Sequence, residues 1–164
     1  AWFGAGSCLE KQEKWYQALH FFNKAIKINT TNSEYWKAAA HAEFKIGNTI
    51  SSISAYEEAS LLGPDDKEIW LNWSFIYYEQ GEHQKAIEVL LQGMEEIPDE
   101  SEFFYRMTVY LIESGQFKEA LNYLENALIL DFKGHSMLFD FFPKIETQKA
   151  LYKIIDQFRK EDPS

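Results

Sequence analysis

The chain has 164 residues, 46% of them apolar, and carries 5 Trp, 9 Tyr and 13 Phe; so much aromatic surface excludes a disordered segment, which lacks the apolar area to offset chain entropy. Its 26 acidic and 16 basic side chains give a formal charge of -10, and no basic stripe interrupts that excess, which argues against nucleic acid as a partner, because affinity for phosphate backbones comes from clustered Lys and Arg. No apolar run approaches the ~20 residues that span a bilayer, so no membrane insertion is expected, and the lone Cys8 leaves neither an intrachain disulfide nor a Cys-rich metal site, as in a reducing, cytoplasmic setting.

Taken in chain order, the elements recur. The first stretch carries Trp2, Ala18, Phe22 and Ala25, and 34 residues later stand Trp36, Ser52, Tyr56 and Ala59. The same step of 34 leads to Trp70, Ala86, Leu90 and Gly93, then to Phe104, Ala120, Leu124 and Ala127. Gly47, Gly81 and Gly115 keep the interval, as do Pro64 and Pro98. Several columns in one register signal a repeat architecture. Within the third stretch, Ile69, Trp70, Trp73, Ile76 and Tyr77 fall at helical spacing. Gly81 stops that helix, and a second stripe of Ala86, Ile87, Leu90 and Leu91 runs to Ile97-Pro98, where proline cannot continue a helix. Each unit is therefore a helical hairpin. The Ala18 and Ala25 columns stay small because bulky side chains there would push paired helices apart. Trp36, Trp70 and Phe104 are expected to be buried between hairpins.

The last unit is irregular. From His135 a short apolar helix with Leu138, Phe139, Phe141 and Phe142 is expected to end at Pro143. A second helix begins near Thr147, with a stripe of Leu151, Ile154, Ile155 and Phe158 and with Lys149, Lys153, Asp156 and Lys160 outward. This reads as a cap, since a repeat stack needs a polar-backed terminal element.

A 34-residue hairpin with Trp, then a small residue, Gly, Ala, an aromatic, Ala and Pro resembles the tetratricopeptide repeat. The second unit matches with Trp36, Ala40, Gly47, Ser52, Tyr56, Ala59 and Pro64, and the third with Trp70, Ser74, Gly81, Ala86, Leu90, Gly93 and Pro98. Phe132 and Thr30 replace the terminal Pro in the fourth and first units, and Glu43 stands where an apolar side chain usually packs, so Phe44 is expected to take its role. The resemblance implies an all-α fold, an α-solenoid of antiparallel helical hairpins in a right-handed superhelix with a C-terminal capping helix. Residues 1–164 read as one domain, with repeats 1–32, 33–66, 67–100 and 101–134 and an irregular last hairpin and capping helix over 135–164. Residue 1 falls on the third position of a repeat, which reads as a fragment of a longer protein, and the departures from the terminal Pro suggest a bacterial member.

Little in the sequence points to chemistry. His20, His41, His83 and His135 are dispersed, with no metal-ligand spacing. The acidic pairs Glu57-Glu58, Asp65-Asp66 and Glu95-Glu96 read as solvated surface rather than as a general acid and base. Glu34, Glu68 and Glu102 form a further column near helix starts, where a carboxylate opposes the positive end of the helix dipole. No catalytic residue, metal or cofactor is expected.

In the resembling family, the first helices of successive units line a concave groove that cradles a peptide. Carried over by position, the groove residues here are Lys37, His41, Asn72, Phe75, Tyr78, Tyr105, Arg106 and Val109, with an apolar patch of Phe75, Tyr78 and Tyr105. Asn72 is the sharpest of them, because a side-chain amide both donates and accepts and so pairs with extended backbone. The family's clamp for the C-terminal carboxylates of heat-shock chaperones maps onto Lys37, His41, Asn72, Glu102 and Arg106. Glu102 puts an anion where that clamp needs a cation, so the clamp is not expected. The sequence thus predicts a non-catalytic protein-interaction module with a protein or peptide partner of unknown identity. Its alternative is a structural spacer, a self-associating segment forming a homo-oligomer through the Tyr105 wall, or a regulatory arm of a larger enzyme.

Overall fold

The structure, a computed structural model, describes residues 1–141 and 145–161, the side chains of 145–148 and 150 excepted. Its helices are α1 (Trp2–Lys11), α2 (Trp15–Ile28), α3 (Ser33–Lys45), α4 (Thr49–Leu62), α5 (Lys67–Glu79), α6 (His83–Glu96), α7 (Ser101–Glu113) and α8 (Phe117–Leu130). A 3-10 helix (Phe132–Met137), α9 (Leu138–Phe141) and α10 (Ile145–Glu161) follow. Among the described residues there is no strand.

The starts of the helices follow the same period as the core. Asn32, Asp66 and Glu100, again 34 apart, are the N-caps of α3, α5 and α7. Each side-chain oxygen accepts from the backbone N–H two residues on, Glu34 at 3.0 Å, Glu68 at 3.1 Å and Glu102 at 3.5 Å, satisfying a donor that the helix itself leaves unpaired. The first-turn glutamates are therefore the residues whose amides are capped, and their own carboxylates face the helix dipole.

The ends are set by backbone conformation. After α3, the Asn48 N–H bonds to the Glu43 carbonyl and the Gly47 N–H to the Phe44 carbonyl, the paired reverse bonds that need a left-handed residue between helix and turn. Gly47, Gly81 and Gly115 take φ of 88°, 76° and 80°. In the first repeat the same position is Glu13, at φ 57°. A side chain there strains the left-handed backbone that glycine adopts freely. Glu13→Gly is accordingly expected to raise the stability of the chain by about 0.5–1 kcal/mol in urea unfolding.

The chain forms two compact units, residues 1–80 with α1–α5 and residues 81–164 with α6–α10. In the first, α1 pairs with α2 and α3 with α4, while α2 packs on α3 and α4 on α5. The small columns allow this closeness. A Cβ added at Gly6 would meet the Phe22 ring at 2.5 Å, and Ser52 Oγ donates to the Ala40 carbonyl at 2.7 Å, tying α4 to α3 where both are buried. Phe22 and Tyr56 fill the centre. In the second unit, α7 pairs with α8 and also packs on α6, around Leu90, Phe103, Met107, Tyr110, Leu111 and Leu124. The 3-10 helix and α9 lie on α7, and α10 reaches α8. Leu151 and Ile155 are buried, with Lys149, Lys153, Asp156 and Lys160 outward. Helix α10 begins at Ile145, earlier than the expected Thr147, and Phe142 and Pro143 lie outside the described residues.

The Trp column departs from expectation. Trp70 is 4% exposed, but Trp36 and Phe104 are half-buried and Trp2 is 39% exposed. Trp36 forms part of a shallow groove with Ile26 of α2 and Ile50 of α4, and Phe104 of another with Leu91 of α6 and Tyr123 of α8. One edge of each ring is thus left between successive second helices. The indole nitrogens of Trp36 and Trp70 each donate at 2.9 Å to the carbonyl six residues earlier, Thr30 and Pro64, which fastens the turn to the following helix. Phe104 has no such donor. Glu43 is half-buried and accepts from the Asn48 amide at 2.9 Å, so the turn, rather than the core, absorbs its polarity, and Phe44 stays half-buried.

Candidate functional site

In residues 1–80 the groove-position side chains of α3 and α5 are held by partners within the unit. Lys37 Nζ donates to Asp66 Oδ2 at 2.7 Å and lies 3.5 Å from Glu34. Asp66 also caps α5 through Oδ1, so one carboxylate both starts α5 and ties it to α3. Lys37 therefore acts as a brace rather than a free cation. His41 Nε2 sits 3.9 Å from Glu10 Oε1, and its ring meets Trp15 edge-on at 5.3 Å. Burial lowers the His41 pKa below its usual 6.5, with Glu10 opposing and Lys45 adding to that direction, so the ring is neutral at pH 7. Asn72 is half-buried and shares a hydrogen bond with the hydroxyl of Tyr56, itself almost wholly buried on α4. Phe75 and Tyr78 follow on α5, half-buried, with ring centroids 6.0 Å apart.

In residues 81–164 two of the expected groove residues are not on a surface. Tyr105 is 1% exposed and Val109 is fully buried. The Tyr105 hydroxyl donates to the Asp131 carbonyl, and a Cβ added at Gly134 would lie 2.9 Å from its ring, so the 3-10 helix closes over it. The apolar wall expected from the sequence therefore loses its Tyr105 end, because the irregular segment after α8 folds back across α7. The Tyr105 ring is therefore not a surface open to a second copy. Arg106 is half-buried, its guanidinium 4.7 Å from the centre of the Phe141 ring, a cation-π contact. Among the described residues no group of His, Cys, Asp and Glu is placed to hold a metal ion.

The residues missed as site residues are Tyr56 and Asp66, which hold Asn72 and Lys37, while Glu10, a groove position of the first unit, meets His41. A signal for the first was present. In the Phe22, Tyr56, Leu90, Leu124 column only Tyr56 carries a hydroxyl, and a buried hydroxyl needs a partner.

Three of these groups bear on alkaline stability in the same direction. Burial raises the Tyr56 pKa, partly offset by the Asn72 bond and reinforced by the charges of Glu10 and Glu68. Burial raises Tyr105 as well, with Asp131 adding to it. Burial alone would lower Lys37, but its bond to Asp66 and the charges of Asp66 and Glu34 leave it raised. The unfolded chain releases these protons near 10.0 for Tyr and 10.5 for Lys, while the folded chain holds them to higher pH. Their contribution is thus complete below pH 10.0 and is lost as pH rises through the folded values. Urea unfolding at increasing pH is expected to show stability insensitive to these groups up to about 10 and falling beyond it, with the fall reduced in Tyr56→Phe.

Comparison with known proteins agrees with this geometry. Residues 37–100 match the family model of the tetratricopeptide repeat. A curated relative, the tetratricopeptide repeat-containing protein trd-1 of Caenorhabditis elegans, is 21% identical over 79% of this chain and 17% of its own length. Superkiller protein 3 of Schizosaccharomyces pombe is 24% identical over 48% of this chain and 6% of its own length. The chain thus spans less than a fifth of either protein. Among solved structures, a MamA protein superposes with a TM-score of 0.73 at 21% identity, covering 82% of this chain and 79% of that one. YrrB, a TPR protein with an unusual peptide-binding site, superposes with a TM-score of 0.68 at 16% identity, covering 99% and 86%. MamA from Desulfovibrio magneticus RS-1 gives 0.70 at 14% identity over 98% and 95%. Residues 37–100 thus carry tetratricopeptide repeats, and the fold of the chain is the all-α, helical-hairpin α-solenoid of these structural neighbours.

Proposed function

We propose that the chain is a protein-interaction module, with no catalysis of its own, that holds an extended peptide of a partner on the first-helix face of residues 1–80. The observation that carries the reading is Asn72. Its amide is half-buried and pinned by a buried tyrosine hydroxyl beside the Phe75–Tyr78 pair. Pinning one side of the amide removes rotamer freedom that binding would otherwise have to remove, and leaves further hydrogen-bonding capacity for peptide backbone. That YrrB is a TPR protein with a peptide-binding site supports the reading by analogy of fold.

Testing it requires separating binding from stability. Asn72→Ala strands the Tyr56 hydroxyl in the core and is expected to cost about 1–3 kcal/mol of stability. Adding Tyr56→Phe removes both partners and restores most of that loss. The double variant should therefore unfold nearly as the parent chain does, yet bind peptides selected from a random-sequence display about tenfold more weakly, as for loss of a well-placed hydrogen bond. Equal affinity of the double variant and the parent for those peptides would overturn the assignment.

A second reading has its own observation. On α4, Ile50 is 87% exposed and Leu61 74%, apolar side chains that suit association through second helices. Light scattering of the chain distinguishes the two readings, because a dimer lost in Ile50→Lys would favour self-association.

A further inference from the structure

We infer that the chain self-associates by laying helix α10 of one copy into the outer groove between α6 and α8 of a second copy. The contact uses only residues 81–164 of each copy. It is independent of the peptide face of residues 1–80, so either can fail without the other.

The groove opens over Phe104, which is half-buried where Trp70 of the preceding unit is almost wholly enclosed. Its volume is about 540 Å³, and Leu91 and Met94 of α6 with Tyr123 of α8 complete an apolar floor. Its rim is acidic. Glu95 of α6 borders the groove, Glu88 stands two turns before it on the same stripe, and Glu119 of α8 stands one turn before Asn122 and Tyr123. All three carboxylates are exposed. The repeat itself does not impose this charge. In the equivalent groove over Trp36, two repeats earlier, the positions of Glu88 and Glu95 are held by His20 and Lys27. Helix α10 carries the complement. Lys149, Lys153 and Lys160 are exposed along its outer face, beside Tyr152, whose ring stacks on Phe139 at 4.4 Å and stays 51% exposed. Asp156 is the carboxylate among them, and Arg159 is engaged by the Phe132 ring, 5.4 Å from its centre. In a chain of net charge -10 a basic face of this kind stands out, and the groove it matches in charge and in aromatic character is the chain's own. Within one copy α10 already packs on α8, with Leu151 and Ile155 buried, so its lysine face can reach such a groove only on a second copy. A helix seated in an apolar groove and held by flanking charges is a recurring mode of recognition.

The test is sedimentation velocity of the full 164-residue chain over about 1–500 μM, a range suited to a small, charged contact. Association is expected to grow with concentration and to weaken as salt is raised. Lys149→Glu with Lys153→Glu, and separately Glu88→Lys with Glu95→Lys, should each weaken it by about tenfold. The second pair lowers the net negative charge, so an unspecific attraction would grow where the docked contact is lost. Mixed in equal amounts, the two variants should associate again, because each then offers the charge that the other lacks. Tyr152→Ala should weaken the parent contact by about tenfold, and Ile50→Lys should leave it unchanged. Thermal unfolding of each variant checks that the fold is kept, as expected for exposed positions. A chain that stays monomeric throughout, an association indifferent to either charge-reversed pair, a mixture that fails to associate, or an association lost in Ile50→Lys would each overturn the inference.

Discussion

Trp70→Ala is expected to cost about 3–5 kcal/mol, the range for large core aromatics truncated to Ala. The ring is 4% exposed, stacks on Trp73 with centroids 5.8 Å apart, and donates its indole N–H to the Pro64 carbonyl. Truncation therefore removes core volume, an aromatic pair and the bond that fastens the turn before α5 to the helix. Trp36→Ala is expected to cost roughly half as much, although it occupies the same repeat position and makes the same indole bond to Thr30. The difference comes from burial and from the stack on Trp73, since Trp36 is only half-buried and Ala39 stands at the Trp73 position of its repeat. Urea unfolding of the two variants checks this, and equal losses would mean that the repeat register, not the local packing, sets the energetics.

Tyr105→Ala is expected to be comparably severe, about 3–5 kcal/mol, because the ring is fully enclosed beneath the 3-10 helix. Tyr105→Phe keeps the ring and loses only the bond to Asp131, so its cost is about 1 kcal/mol. Gly134→Ala should destabilise the same contact from the other side, since the added Cβ would lie 2.9 Å from the Tyr105 ring and 3.0 Å from the Asp131 carboxylate. These changes should leave peptide affinity in the remaining folded protein unaltered. A groove role for Tyr105 would show the opposite pattern, with affinity lost and stability kept.

The fold was legible in the sequence wherever one residue type satisfied one geometric need. The Ala18, Ser52, Ala86, Ala120 column and the Phe22, Tyr56, Leu90, Leu124 column are buried throughout, because close helix pairing tolerates only small residues in the first and needs bulk in the second. The glycine column marked the turns, but Glu13 hid the first of them, since a strained non-glycine residue has no signature in composition. The site was less legible. Position in a repeat says which way a side chain points, not what meets it there. Lys37 looked like a ligand cation until Asp66, 29 residues away, was found on its ammonium. Tyr105 looked exposed because the segment that covers it, residues 132–137, follows no repeat pattern.

The most direct test of the peptide-binding face is a titration of ¹⁵N-labelled chain with a display-selected peptide, followed by amide chemical shifts. Binding as proposed perturbs amides of α3 and α5 around His41 and Asn72, together with those near Glu10 of α1. Perturbations confined to the second helices α4 and α8, around Ile50 and Phe117, would contradict it.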